Sequence, residues 1–322
     1  MINNFKETGN FAHTSVMLSE CIDALELKKE GIYLDLTLGA GGHSLAILNS
    51  SVQKLISFDR DIEAIENARI LFESFSNIDI VHSNFKDVKE VLHNMNINEI
   101  DGALIDLGVS SHQIDKDHRG FSYTKNTPLD MRMNQKDSKT AMNVLNEYDE
   151  SSLIKIIKEY GEEKKGAKFI ARAIISARPL YTTGQLVSVI RSAVPVKYEN
   201  AAIKRTFQAI RIEVNDELSI IENTLKDIIS FLKPSGKIGV ITFHSLEDRI
   251  VKHTFRELEN PCNCPRSLPC VCGKEKVFTT EKVKLPTKDE ITSNSRSKSA
   301  KLRVGKKIGD SYASTKKAYT KN

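Results

Sequence analysis

GIYLDLTLGAGGHSLAI, residues 31–47, joins a short apolar run to a turn rich in glycine. The apolar residues within 32–36 are typical of a buried parallel strand. The turn that follows contains three glycines, Gly39, Gly41 and Gly42. Glycine lets a ligand lie against the main chain, and a helix that starts near His43 or Ser44 presents its first N–H groups to that ligand. Strand, glycine turn and helix together are typical of a nucleotide-type cofactor site, but an ordinary tight turn also fits these residues.

The composition is that of a globular protein with room for one large domain or two. The chain has 322 residues, of which 40% are apolar and 28% are charged. It contains no apolar run of roughly 18 residues, the length that spans a membrane. Its first residues, MINNFKETGNF, lack the apolar segment of a secretory signal. We therefore expect a cytoplasmic protein that does not cross a membrane.

Strand-like and helix-like stretches alternate over the first hundred residues. After the strand near residue 32, apolar strands are predicted at residues 54–58, 78–82 and 102–107. Helices are predicted before and between them, at residues 13–27, 62–75 and 87–95. Near the end of the chain the pattern resumes with a helix at 218–232, a strand at 237–243 and two antiparallel edge strands at 276–285 and 301–308. The alternation predicts a parallel, doubly wound sheet.

Between residues 109 and 215 the sequence contains little that is typical of a strand. Helical spacing is clearest at residues 151–160, 167–176 and 183–193. A stretch of this length with helices of its own indicates an inserted domain. The predicted organisation is therefore a sheet domain at 1–108 and 216–308, an inserted helical domain at 109–215 that recognises the substrate, and a basic tail at 309–322 that we expect to be disordered.

Four features follow the predicted strands at their carboxyl ends, where open parallel sheets bind ligands. The first is the glycine turn, and the second is Asp59, an acid placed to accept hydrogen bonds from a ribose diol. Phe85 follows the third strand and is placed to stack on an adenine, and Asp106 ends the fourth strand. Each residue alone fits a cap or a core edge. Together, and in this order, they indicate a cofactor site.

The glycine spacing separates two cofactor classes. A dinucleotide site of the form G-x-G-x-x-G needs its third glycine where Ser44 stands. An acid within the first strand, Asp35, and the sequence Leu-Lys-Pro-x-Gly at 232–236 instead resemble the fold of S-adenosylmethionine-dependent methyltransferases.

A closer resemblance extends over residues 5–305. The chain resembles the bacterial small-subunit ribosomal RNA cytosine-N4 methyltransferase family, the MraW family, in blocks that include HTSVML (13–18), TLGAGGHS (37–44), DLGVSSHQ (106–113), RTFQAIRI (205–212) and ITFHSLEDRIVK (241–252). The resemblance implies an α/β protein with a Rossmann-like S-adenosylmethionine-dependent methyltransferase fold. Such a fold has a mostly parallel seven-stranded sheet, here with an inserted all-helical domain.

The same resemblance implies an activity. It is S-adenosylmethionine-dependent methylation of the exocyclic N4 amine of a specific cytidine in the decoding region, at the P site, of 16S rRNA. The implied partner is 16S rRNA in the small ribosomal subunit or its assembly intermediate, and the enzyme is a monomer or a homodimer. The cofactor contacts that it implies are Gly41, Gly42, His43, Asp59, Phe85, Asp106 and Gln113. Gln113 comes from the resemblance alone.

An exocyclic amine is a poor nucleophile, because its lone pair is delocalised into the ring. Asp106 is the first candidate to accept a hydrogen bond from that amine, and His13 and His244 are secondary candidates. Asp106-Leu107-Gly108-Val109 departs from the Asp/Asn-Pro-Pro-aromatic motif of other amino methyltransferases. Methylation at carbon-5 needs a cysteine nucleophile, and no cysteine stands directly after the fourth strand.

Cationic residues are candidates for phosphate contacts. From Arg296 onward the chain has nine Lys or Arg residues and one acid, which fits either solubilising disorder or a phosphate-binding arm. Further candidates, each also compatible with a solvated surface charge, are Arg132, Lys204, Arg205, Arg211 and Arg249.

Four cysteines, Cys262, Cys264, Cys270 and Cys272, form the pattern C-x-C-x5-C-x-C. Thiols this close in a cytosolic chain favour zinc over disulfides. However, the usual zinc spacing is C-x2-C, so the sequence assigns no metal site.

Three other functional classes stay open. The chain could methylate a protein or a small molecule, although the inserted domain and the basic tail disfavour a small substrate. A ribosome-assembly factor that catalyses no reaction is disfavoured, because it would not need the cofactor-binding acids and aromatic residue at the strand ends. A nucleotide-dependent oxidoreductase is disfavoured by the glycine spacing.

Overall fold

The computed structural model describes residues 15–108, 119–265, 267, 269 and 271–309. They form two compact units, which we call the sheet unit and the helical unit. The sheet unit contains the described residues up to Gly108 and those from Ile221 onward, and the helical unit ends at Ile220. The sequence analysis placed this second boundary after residue 215. His13, Gln113 and residues 310–322 of the basic tail lie outside the described residues.

The sheet unit contains one seven-stranded sheet in the part of the chain that the structure describes. Its strands are β1 (Ile32–Asp35), β2 (Lys54–Asp59), β3 (Ile78–His82), β4 (Ile100–Asp106), β5 (Leu232–Thr242), β6 (Phe278–Thr280) and β7 (Lys301–Lys307). Their order in space is β3-β2-β1-β4-β5-β7-β6. Strands β1–β5 are parallel, and β7 is antiparallel to both of its neighbours. This is the strand order of the Rossmann-like methyltransferase fold, and the predicted α/β fold is confirmed.

Helices cover the sheet, which explains why its strands are apolar runs rather than alternating ones. They are α1 (Leu18–Leu25), α2 (Gly42–Asn49), α3 (Ile62–Leu71), α4 (Val88–Asn94), and, after the helical unit, α10 (Ile221–Phe231), α11 (Ser245–Glu259) and α12 (Lys288–Ser293). Apolar side chains of α1, α2 and α3 share one core cluster with residues of β1, β2 and β7. Among the described residues, no helix is both long enough and apolar enough to cross a membrane.

The prediction of two edge strands at the end of the chain is wrong for β7. This strand lies inside the sheet, between β5 and β6, and of the two strands it is the short β6 that lies at an edge. Leu302 and Val304 of β7 are buried in the core. Gly305 has no side chain to displace the ring of Phe278, whose nearest carbon would lie 2.0 Å from an added Cβ. The sequence could not show this order, because strand neighbours in a sheet are not neighbours in the chain.

Strand β5 starts earlier than its apolar run. Leu232 pairs with Ile100 and Lys237 pairs with Gly102, so residues 233–236 form a bulge opposite a single residue of β4. Ser235 has a left-handed conformation with φ 70°. Residues 233–236, between the predicted helix and the predicted strand, therefore form a bulge within β5 rather than a separate connection.

The helical unit has a hydrophobic core of its own. Its helices are α5 (Ala141–Glu147), α6 (Glu150–Glu159), α7 (Ala167–Ser176), α8 (Thr183–Ala193) and α9 (Glu199–Asn215). Fully buried Arg119 donates hydrogen bonds from Nη2 to the carbonyl groups of Arg132 and Met133, at 3.0 and 2.9 Å. Asn215 of α9 binds the same segment, since its Oδ1 accepts from the N–H of Met133 at 2.8 Å. These bonds hold the segment before α5 against α9.

Candidate cofactor and active site

The glycine turn connects β1 to α2 through two left-handed residues. Gly39 has φ 52° and Gly41 has φ 83°, conformations that only glycine adopts without strain. A Cβ at Gly41 would also lie 3.0 Å from the Phe72 ring and from a methyl group of Leu71. The N–H of Leu38 donates to the carbonyl of Phe58 at 2.8 Å, which fastens the turn to β2.

Asp59 lies at the end of β2, beside this turn. Its Oδ2 accepts a hydrogen bond from the N–H of Gly39 at 2.8 Å, and its Oδ1 accepts from the N–H of Asp61 at 2.8 Å. Each carboxylate oxygen has a second lone pair, so the group can still accept from a diol. Burial raises the pKa of Asp59 to about 6.

Asp35 supports the turn from within the core. It is fully buried, and its Oδ2 accepts from the hydroxyl of Ser44 at 2.7 Å. Ser44 in turn lies 2.8 Å from the hydroxyl of Ser57 on β2. Burial raises the pKa of Asp35. Through Ser44, which contacts both Asp35 and Ser57, these hydrogen bonds join β1, β2 and α2, which indicates a positioning role for Asp35 under the glycine turn.

Asp106 ends β4, and one of its oxygens lacks a partner. The main-chain N–H of Asp106 donates to Oγ1 of Thr37 at 2.6 Å. Its Oδ1 is buried and has no hydrogen-bond partner among the described residues. Burial raises its pKa well above the usual range, and the nearby charges of Asp35 and Glu247 raise it further. A buried acceptor without a partner is typical of a functional site.

His43 faces Asp106 from the start of α2. Its Nδ1 lies 3.9 Å from Oδ2 of Asp106, and its Nε2 lies 3.1 Å from the carbonyl oxygen of Val16. Because that oxygen only accepts, Nε2 carries the hydrogen. Burial lowers the pKa of His43, which favours the neutral ring with a bare Nδ1 towards Asp106.

Glu247 and Thr37 belong to this site but were missed by the sequence analysis. Buried Glu247 accepts at Oε2 from the N–H of Phe243 at 2.7 Å and from that of His244 at 3.2 Å, which caps α11. Nε2 of His244 lies 3.0 Å from Oε1 of Glu247, so this histidine also belongs to the cap. A Glu three residues after a helix N-cap is a recognisable signal, whereas a lone Thr37 gives none.

The register of the sheet brings several predicted residues to one edge. Asp59 is paired with His82 of β3, and the N–H of Ser83 donates to the carbonyl of Asp59 at 3.0 Å. The chain then continues to Phe85, a partly buried residue that opens the short helix Phe85–Asp87. The strand ends therefore bring together Gly41, Gly42, His43, Asp59 and Asp106.

The family model described as the MraW methylase family matches residues 10–308. The chain belongs to the MraW methylase family. It is 51% identical over 309 residues to the ribosomal RNA small subunit methyltransferase H of Clostridium botulinum strain Kyoto, type A2. It is 50% identical to the protein of that name from strain Loch Maree, type A3. Each alignment covers 92% of this chain and 99% of the relative.

The cofactor of this MraW methylase is S-adenosylmethionine, and the residues present fit it. Asp59 offers the carboxylate that a ribose diol requires, and the glycine turn lies beside it, joined to it by the hydrogen bond from the N–H of Gly39. Oδ1 of Asp106 provides an acceptor without a partner among the described residues. These groups are compatible with S-adenosylmethionine, which is a nucleoside with a cationic sulfur.

Most of the candidate phosphate contacts already have carboxylate partners. Arg132 binds Asp130 through two nitrogens, at 2.9 and 2.7 Å. Arg211 binds both oxygens of Glu217 at 2.9 Å. Arg205 lies 3.0 Å from Glu163. Lys301 and Arg303 are two of the nine basic residues from Arg296 onward. They lie in β7 and bind Asp248 at 3.0 and 2.7 Å.

Lys204 of the helical unit differs from these residues. It is exposed on α9, and no carboxylate pairs with it among the described residues. Its charge is therefore available to a phosphate.

Proposed function

We propose that this chain methylates the exocyclic N4 amine of a specific cytidine in the decoding region, at the P site, of 16S rRNA. The relatives named ribosomal RNA small subunit methyltransferase H support ribosomal RNA as the substrate. The buried Oδ1 of Asp106, which has no partner within the described residues, is the observation that carries the choice of an amine. An amine has hydrogens to donate to this oxygen, whereas methylation at a ring carbon also needs a cysteine nucleophile, and no cysteine stands directly after β4 in the sequence.

The chemistry needs an acceptor that holds the amine and then removes a proton. S-adenosylmethionine, when bound, supplies an electrophilic methyl group. Oδ1 of Asp106 accepts a hydrogen bond from N4, which orients the amine and favours its pyramidal form. After methyl transfer the nitrogen carries a surplus proton, which passes to the same oxygen.

The surroundings of Asp106 suit this role. Burial and the charges of Asp35 and Glu247 raise its pKa, so the ionised carboxylate is a stronger base than an exposed one. Neutral His43 presents its bare Nδ1 to Oδ2. This arrangement supplies no hydrogen bond that competes with the amine for Oδ1. The N–H of Asp106 is held by Thr37, which fixes the end of β4.

The helical unit and its exposed Lys204 support a macromolecular substrate with phosphates. A base must leave its stack before its amine can react, which is easier in a loop of RNA than in a duplex. We expect the substrate to be 16S rRNA within the small subunit or its assembly intermediate, and the enzyme to act in the cytoplasm.

The test is methyl transfer by the purified chain to small subunits from cells that lack it. Isotopically labelled S-adenosylmethionine is added, and the 16S rRNA is digested to nucleosides and analysed by mass spectrometry. The expected product is labelled N4-methylcytidine. Labelled 5-methylcytidine, or a 2′-O-methyl nucleoside, would contradict the proposal, and a reaction without protein is the control.

A further inference from the structure

The connection from α11 to β6, residues 260–277, contains no helix or strand among its described residues. The two ends of the connection are held together, because Glu259 of α11 accepts from the hydroxyl of Thr280 at 2.8 Å and binds Lys276 at 3.1 Å. Further out, none of its described residues is buried. Val271 is 89% exposed, and a Cβ on Gly273 would meet nothing within 4 Å. A segment this long without secondary structure or a core needs another source of order.

Three cysteines of this connection come together in space. The sulfur atoms of Cys262, Cys264 and Cys272 all lie within 4.8 Å of one another. Cysteine is among the most buried residue types, as Cys21 in the core illustrates, but Cys262 and Cys272 are exposed. The two arms of the connection therefore converge at sulfur atoms rather than at apolar side chains.

The spacing of these atoms is close to that of a metal site. Zinc binds thiolates at about 2.3 Å in tetrahedral geometry, which places two bound sulfurs about 3.8 Å apart. Sulfurs within 4.8 Å of one another reach this separation by small side-chain rotations. The C-x-C spacing led to no metal assignment from sequence, because the usual zinc pattern is C-x2-C. The short distances between the three sulfur atoms now indicate a metal site that the C-x-C spacing alone did not.

We propose that the thiolates of Cys262, Cys264 and Cys272 bind a structural zinc ion that holds residues 260–277 in place. Zinc suits the site because it prefers thiolates and has no redox chemistry of its own. Each thiol loses its proton on binding. Three thiolates and Zn²⁺ leave one negative charge, and Lys274, which follows Cys272 by two residues, carries a charge of the opposite sign. The ion has a structural role, separate from methyl transfer.

The first measurement is the metal content of the full chain, purified with a reductant and without chelators. Elemental mass spectrometry is expected to find one zinc per chain. The double variant Cys262→Ser/Cys272→Ser should lose that zinc. Cys21→Ala removes a cysteine outside the connection and should retain it. Absence of zinc from the wild type, or equal zinc in the double variant, overturns the proposal.

A second measurement does not depend on a variant that folds. Wild-type chain stripped of metal and titrated with Co²⁺ should develop the visible bands of tetrahedral cobalt and the near-ultraviolet bands of thiolate ligation. Their intensity counts the bound thiolates. Removal of the metal should also speed proteolysis within residues 260–277 several-fold. No cobalt bands, or a disulfide between these cysteines in the reduced chain, overturns the proposal. Calorimetry of cofactor binding is expected to give equal affinities with and without the metal.

Discussion

The main-chain N–H of Gly39 donates a 2.8 Å hydrogen bond to Oδ2 of Asp59, which joins the glycine turn to the end of β2. The other carboxylate oxygen accepts from the N–H of Asp61. The plane of the carboxylate is therefore fixed before any ligand binds. Because the side chain of Asp59 is already ordered, little conformational entropy is lost when its carboxylate binds a ribose diol.

Replacing Asp59 by Ala should weaken the binding of S-adenosylmethionine. The change removes a charged acceptor, worth about 1.5–3 kcal/mol, which corresponds to a loss of affinity of about ten- to a hundredfold. Isothermal titration calorimetry measures it. Asp79→Ala is the matched control, since Asp79 lies on the adjacent β3 and pairs with Lys54 at 2.7 Å. Equal affinities in the wild type and the Asp59 variant would exclude this role.

Cofactor affinity should also depend on pH through Asp59. Its pKa in the folded protein is about 6, so the carboxylate is ionised at neutral pH and becomes protonated as the pH falls. The protonated form loses an acceptor, and affinity at about pH 5 should be about tenfold lower than at neutral pH. Calorimetry at both pH values tests this with wild type and Asp59→Asn. A pH dependence that is unchanged in the variant would assign the effect to another group.

Gly41→Ala should destabilise the sheet unit. An alanine at φ 83° is in a left-handed conformation, which costs about 1–2 kcal/mol, and its Cβ meets Phe72 and Leu71 at 3.0 Å. The free energy of unfolding in urea should fall by at least about 1 kcal/mol. Gly309→Ala, where a Cβ meets nothing within 4 Å, should change it by less than about 0.5 kcal/mol. Equal stability of the two variants would contradict the strain argument.

The sequence predicts the parts of this fold that depend on local patterns. Strand β3 and helices α7 and α8 have the predicted bounds, because their apolar periodicity lies within each segment. The glycine turn and Asp59 are also recognisable locally, because each directly follows a predicted strand. Parallel strands then place their carboxyl ends side by side without further information.

What the sequence does not predict depends on contacts between distant residues. The position of β7 inside the sheet requires Gly305 to lie under Phe278, a pairing that no spacing reveals. The approach of His43 to Asp106 and the effect of Glu247 on its pKa likewise join segments far apart in the chain. The ion pairs of Arg132 and Arg211 likewise cannot be predicted from the number of charged residues in the sequence.

Reversing the charge of Lys204 should weaken binding of 16S rRNA without affecting the cofactor. Lys204 is exposed on α9, whereas Arg205 beside it is paired with Glu163, so Lys204→Glu is the cleaner variant. RNA affinity should fall most at low salt, and its salt dependence should decrease by about one counterion. Filter binding across a salt series measures this, with Lys89→Glu in the sheet unit as the control. An equal loss in the control would indicate a general charge effect.

Asp106→Asn should abolish most of the turnover while the cofactor still binds. Asparagine keeps the shape and one acceptor oxygen but loses the charge and the basicity that burial, Asp35 and Glu247 give this carboxyl group. Methyl transfer to small subunits should therefore fall about a hundredfold or more, and affinity for S-adenosylmethionine much less. The assay is quantification of N4-methylcytidine by mass spectrometry, with Asp79→Asn as the control. Full activity of Asp106→Asn with this product would keep the reaction and remove Asp106 from it, so that His13 and His244 would be tested next.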